Sequence, residues 1–80
     1  MNSLRMYLVR AREEKGFSMR RTAREAGITC QHYAKVETGE RGVRVSFMIM
    51  TRIAEALDMP LEKMKEYEKE YQHQLENDCY

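Results

Sequence analysis

The sequence predicts a single all-α domain of five helices. Three observations carry that expectation. Apolar residues recur three and four positions apart in separate segments, Ser or Thr stands before several of them, and Gly16, Gly27, Gly39 and Pro60 punctuate their ends. A length of 80 residues bounds the chain to one small domain, with a core too modest to enclose a buried catalytic pocket. No internal repeat or low-complexity segment interrupts it.

The first helix is predicted from about Ser3 to Lys15, where Leu4, Leu8 and Ala11 recur at helical spacing among charged residues and Gly16 marks the exit. Ser18 starts the second, because its side-chain oxygen can accept from an otherwise unpaired amide. Met19, Ala23 and Ala26 then share one face, and Gly27 can take the positive φ that stops a helix and turns the chain. Thr29 is the next N-cap. The third helix follows from about Cys30 to Glu37, with Tyr33 and Val36 as inward anchors and Cys30, Gln31, Ala34 and Lys35 facing outward. Residues 40–45 have no periodicity and carry Arg41, Gly42 and Arg44, the pattern of an exposed basic loop. Ser46 caps a fourth helix whose apolar stripe is Phe47, Met50, Ile53, Ala54 and Leu57, ended by Asp58-Met59-Pro60. The fifth runs from about Leu61 to Leu75, and Asn77 to Tyr80 are expected to fray.

Two short helices joined by a tight turn at Ala26-Gly27-Ile28-Thr29 form a helix-turn-helix signature, which points to DNA. The formal net charge of +1 hides a split. Residues 1–52 hold eleven Lys or Arg against five Asp or Glu, while residues 53–80 hold three against eight. The helix-turn-helix therefore lies in the basic part. The two cysteines, Cys30 and Cys79, are far apart and not expected to pair. Without an apolar N-terminal run or a stretch long enough for a membrane span, a cytoplasmic, reduced protein with no membrane contact is expected.

Ala23, Gly27, Tyr33, Val36 and Glu37-Thr38-Gly39 resemble the Cro and phage-repressor family of helix-turn-helix proteins, the XRE type. Upstream, Arg12-Glu13-Glu14-Lys15-Gly16-Phe17-Ser18 is similar to the approach to that family's second helix. Downstream, Arg52-Ile53-Ala54-Glu55-Ala56-Leu57 is similar to its fourth. The likeness covers roughly residues 4–64 and implies a compact lambda-repressor-like domain of five helices, here with an extended C-terminal helix. Residues 1–66 are expected to form the DNA-binding part, with 67–80 as a helical extension and tail of the same domain. The resemblance also implies an ion pair between Arg12 and Glu37 that orients the third helix. Three positions depart from the family. Thr22 stands where leucine is usual, and Met19 and Cys30 stand where glutamines often contact phosphate and base.

Docking of such a motif lays the third helix in the major groove with its N-terminal residues at base edges. Gln31 is the best base reader, since its amide matches N6 and N7 of adenine in one plane. Lys35 reaches guanine or a phosphate, with the base preferred, and Cys30 packs on a thymine methyl or contributes nothing. Ser18, Thr29, Thr38, Arg20, Arg21 and Arg41 are candidate phosphate contacts, and Arg44 is a candidate for a narrow minor groove. His32 contacts a phosphate or stays solvated, with no metal role.

On the fifth helix, Leu61, Met64, Tyr67, Tyr71 and Leu75 lie along one side. Either Leu61 and Met64 close the core and the rest is solvated, or Tyr67, Tyr71 and Leu75 form a dimer face. The reading that combines these signals is a homodimeric transcriptional repressor on a two-fold symmetric operator. The alternative is a protein-interaction module, such as an antitoxin or anti-repressor, that binds a regulatory protein partner through that same face. Nothing assembles a nucleophile with a base, and Gly39-Glu40-Arg41-Gly42 is too short for a phosphate loop, so neither an enzyme nor a cofactor is expected.

Overall fold

Each helix begins and ends where local chemistry permits. The computed structural model describes residues 4–39 and 45–78, with side chains through residue 74. It contains α1 (Met6–Glu14), α2 (Met19–Ala26), α3 (Cys30–Thr38), α4 (Phe47–Ala56) and α5 (Leu61–Asp78), with no strand among the described residues. Ser18, Thr29 and Ser46 sit in extended backbone, and their hydroxyl oxygens accept from the amides of Arg21, His32 and Ile49 at 3.0, 3.0 and 3.2 Å. Those bonds satisfy first-turn amides that have no partner within the helix.

The first helix starts later than the sequence predicts, because Arg5 is held in a non-helical conformation while its amide donates to the Glu37 carbonyl at 2.8 Å. A tertiary bond has taken the place of the first turn. The predicted start at Ser3 lies outside the described residues. At the other end, α5 continues unbroken past residue 66 to Asp78, so Asn77 is helical rather than frayed.

The core is built from Leu8, Ala23, Ala26, Tyr33, Val36, Met50, Ile53, Ala54, Leu57 and Met64, contributed by every helix. Helix α2 packs on both α3 and α4, and α4 packs on α5. Thr22, where leucine was the family expectation, is fully buried and donates its hydroxyl to the Ser18 carbonyl at 3.0 Å. The polar side chain is satisfied within its own helix, which removes the penalty of burying it.

Phe47 departs from the predicted apolar stripe. It is 62% exposed, like Met48, and the Lys65 ammonium lies 5.6 Å from its ring centroid. Periodicity assigned it to the core face, but it sits in the first turn of α4, one turn before the buried Met50. The expected dimer face on α5 is likewise altered. Tyr71 is only 7% exposed and lies under the Arg5 guanidinium at 4.5 Å, so the chain itself covers it. Tyr67 is part-exposed and stacks on Tyr7 with ring centroids 5.5 Å apart, while the side chain of Leu75 lies outside the described residues.

Candidate nucleic-acid interface

The turn between α2 and α3 is closed by backbone bonds that only a left-handed residue permits. Gly27 has φ 73°, its amide donates to Arg24 and that of Ile28 donates to Ala23, at 3.1 and 3.0 Å. This is a Schellman motif, and Ile28 completes it by packing against the core. Gly39 ends α3 in the same backbone conformation, at φ 74°. The turn geometry sets α3 against α2 with Tyr33, Val36 and Glu37 buried.

What α3 leaves outward is its N-terminal turn. Cys30, a free thiol, and Gln31 are exposed, while His32, Ala34 and Lys35 are half-buried along the same helix. The Thr29 and Ser18 oxygens accept from cap amides, so each hydroxyl proton can still be donated outward. The first-turn amides and the positive end of the helix dipole lie beside those hydroxyls. Arg20 and Arg21 are exposed on the first turn of α2. The Arg21 guanidinium sits 4.2 Å from the Phe17 ring centroid, and the Lys15 ammonium lies 5.2 Å from the same ring. A cation resting on an aromatic face loses less freedom when it then meets a phosphate.

Thr38 is different from the other hydroxyls. Its proton goes to the Ala34 carbonyl at 2.9 Å, one turn back in its own helix, so a phosphate contact must compete with that bond. Arg41 and Arg44, the loop candidates, lie outside the described residues.

The back of α3 is braced by charge. Arg12 Nε and Nη2 donate to the two Glu37 carboxylate oxygens at 2.9 and 3.2 Å, and its Nη1 donates to the Phe17 carbonyl at 3.0 Å. The pair implied by resemblance is therefore present, and it joins α1, the α1–α2 turn and α3. Tyr33 packs beside it with no exposed surface. Burial and the neighbouring Glu37 carboxylate push the Tyr33 phenol well above its ordinary range, although its hydroxyl has no hydrogen bond of acceptable geometry among the described residues.

These helices and their order agree with an independent comparison. A family model described as helix-turn-helix matches residues 8–64, well over half of the chain. The protein belongs to the XRE-type helix-turn-helix family. That family binds DNA and is not enzymatic, so this helix-turn-helix protein is a DNA-binding regulator. Neither a curated protein nor a solved structure matches it. No helix among its described residues is long and apolar enough to cross a membrane.

Sequence reasoning missed one cluster, centred on Arg5. This arginine is 1% exposed, and its Nε and Nη2 donate to the two oxygens of Glu68, both at 3.0 Å. Glu68 accepts further bonds from the Tyr7 hydroxyl and from Gln72 Nε2, the latter at 2.8 Å. Burial opposes the charge on Glu68, yet the bonds from Arg5, Tyr7 and Gln72 outweigh it and hold the carboxyl below its ordinary range. The one signal in the sequence was a charged residue interrupting the Leu4 to Leu8 apolar spacing. Such residues are normally solvated, and pairing across 63 positions leaves no local trace.

Proposed function

We propose that this regulator binds double-stranded DNA sequence-specifically and acts as a repressor, two copies occupying a two-fold symmetric operator. Helix α3 lies in the major groove, and the half-sites stand about one helical turn apart. The observation that carries the reading is the exposed N-terminal turn of α3, with Gln31 bare between the Thr29 cap and the half-buried Lys35.

Gln31 reads adenine through N6 and N7, a discrimination of ~1–3 kcal/mol. Lys35, one turn on, meets guanine or a phosphate, and the Cys30 thiol packs on a thymine methyl. The hydroxyls of Ser18 and Thr29, the amides beside them, and Arg20 and Arg21 hold the phosphates, with His32 at the margin of that row. Thr38 and Arg41 extend the row, and Arg44 enters the minor groove. Repression follows from occupancy of a promoter in the cytoplasm. The alternative, a module that binds a protein partner through Tyr67, Tyr71 and Leu75, is less supported because Tyr71 is spent inside its own chain.

Selection of bound sequences from a random duplex pool tests the proposal, followed by affinity at two salt concentrations. A two-fold symmetric consensus whose affinity falls steeply with salt is the expected result. No enrichment, or enrichment of one unrepeated half-site, would refute the dimeric operator reading.

A further inference from the structure

Two ion pairs brace α3, and they differ in origin. Arg12–Glu37 lies within residues 8–64, the span that matches the family. Arg5–Glu68 lies outside that span at both ends, so the family pattern does not account for it. Yet it acts on the same helix. Arg5 Nη1 donates to the Val36 carbonyl at 2.6 Å, and the Arg5 amide donates to the Glu37 carbonyl at 2.8 Å. These are last-turn carbonyls of α3, where donors from outside the helix can bind, and that of Val36 also accepts from the Gly39 amide at 3.3 Å. The guanidinium therefore spans two elements. One side holds the end of α3, and the other is fixed by both Glu68 oxygens, with the Tyr71 ring beneath it.

We propose that Arg5 is a positioning residue for DNA readout, and that Glu68 on α5 acts through it to set the angle of α3. This rests on the reading of α3 as the helix that meets base edges. The lever is geometric. Nine residues of helix span about 13 Å, and a tilt of roughly 5° about the C-terminal end carries the other end by about 1 Å. Gln31 stands at that far end, and a directional polar contact tolerates displacement of only about 0.5 Å. Arginine suits the task because its planar fork holds fixed directions toward Glu68 and Val36 at once, which a lysine point charge cannot. By this account the middle of α5 belongs to the reading apparatus rather than to a solvated extension.

The test compares wild type, R5K, E68Q and Y7F on the selected sequence and on random duplex, at a temperature where circular dichroism shows each variant folded. The amide spectrum of each is recorded without DNA. R5K and E68Q are expected to weaken the selected site by roughly 5- to 150-fold, the loss of one bidentate base contact. Random-duplex binding, carried by phosphates, should change less than about 3-fold. The amides of residues 30–35 should shift in the free protein. Equal losses on both DNAs, or unchanged selectivity in a less stable but folded variant, would overturn the inference. Should R5K and E68Q fail to fold, Y7F decides, since it removes only the Tyr7 bond to Glu68 and keeps the stack on Tyr67. Unaltered selectivity and unshifted α3 amides in Y7F would then reject it. If the wild type enriches no sequence, the reading of α3 fails separately, and unmoved amides at residues 30–35 in the variants would reject the positioning role by itself.

Discussion

Replacing Arg12 with methionine should cost more than replacing its partner Glu37 with glutamine. The Glu37 side chain is 2% exposed and the Arg12 side chain 15%, so the carboxylate is the deeper member of the pair. R12M removes both donors to that carboxylate, at 2.9 and 3.2 Å, and also the donor to the Phe17 carbonyl. A buried charge left without its partner costs ~3–5 kcal/mol. For a domain of this size, 1 kcal/mol moves the melting temperature by roughly 4–8 °C, so a loss at the lower end of that range is a fall of roughly 12–24 °C. E37Q leaves a neutral group that still accepts from Arg12, and the arginine keeps Phe17 and some water. Its cost should be about 1–2 kcal/mol. The double variant R12M/E37L replaces the pair with apolar volume and should lie within about 1 kcal/mol of wild type. Urea unfolding of wild type, R12M, E37L and R12M/E37L closes the cycle and gives the coupling energy, with E37Q measured beside them as the isosteric control. An R12M cost below about 1 kcal/mol, or a double variant as weak as R12M, would refute the claim that a stranded carboxylate dominates.

Three further outcomes can be measured on the same protein. Q31A should weaken the preferred site by roughly 5- to 150-fold and random DNA hardly at all, whereas R41A should weaken both about equally and reduce the salt slope by about 1; equal losses for Q31A in a binding titration would remove it as a base reader. Y33F should raise the melting temperature by roughly 4–8 °C, since it deletes a buried hydroxyl with no bonded partner among the described residues and keeps the ring; a comparable fall would mean the hydroxyl is bonded in solution. Stability should also fall at both pH extremes. Glu68 has a lowered pKa in the fold, so its contribution is complete above the ordinary carboxyl value of 4.5 and is lost as pH falls through the lower folded value. Tyr7 and Tyr33 have raised values, so theirs is complete below the ordinary phenol value of 10.0 and is lost as pH rises above it. Urea midpoints across an acid and an alkaline series measure this, and E68Q should flatten the acid limb; an acid limb identical to wild type would contradict the assignment to Glu68.

Much of the candidate site was legible because its determinants are local. Ser18, Gly27, Thr29 and Gly39 are read from a few adjacent residues, and each cap and left-handed turn occurs where that chemistry places it. Arg12–Glu37 spans 25 positions and was reachable only through resemblance to a family. Phe47 shows the limit of periodicity, which gives a helix face but not the point along the helix where its neighbour ends.

By itself the sequence determined five helices, their caps and turns, the basic half that carries the helix-turn-helix, and the exposed turn at Gln31. Each of these follows from spacing and backbone preference over a single turn or two. Only the tertiary structure decided that α1 starts after Arg5, that Tyr71 is covered by its own chain, and that Glu68 reaches the end of α3 through Arg5. Burial of a charge depends on where its counter-charge arrives after folding, and nothing in the local sequence records a partner 63 positions away.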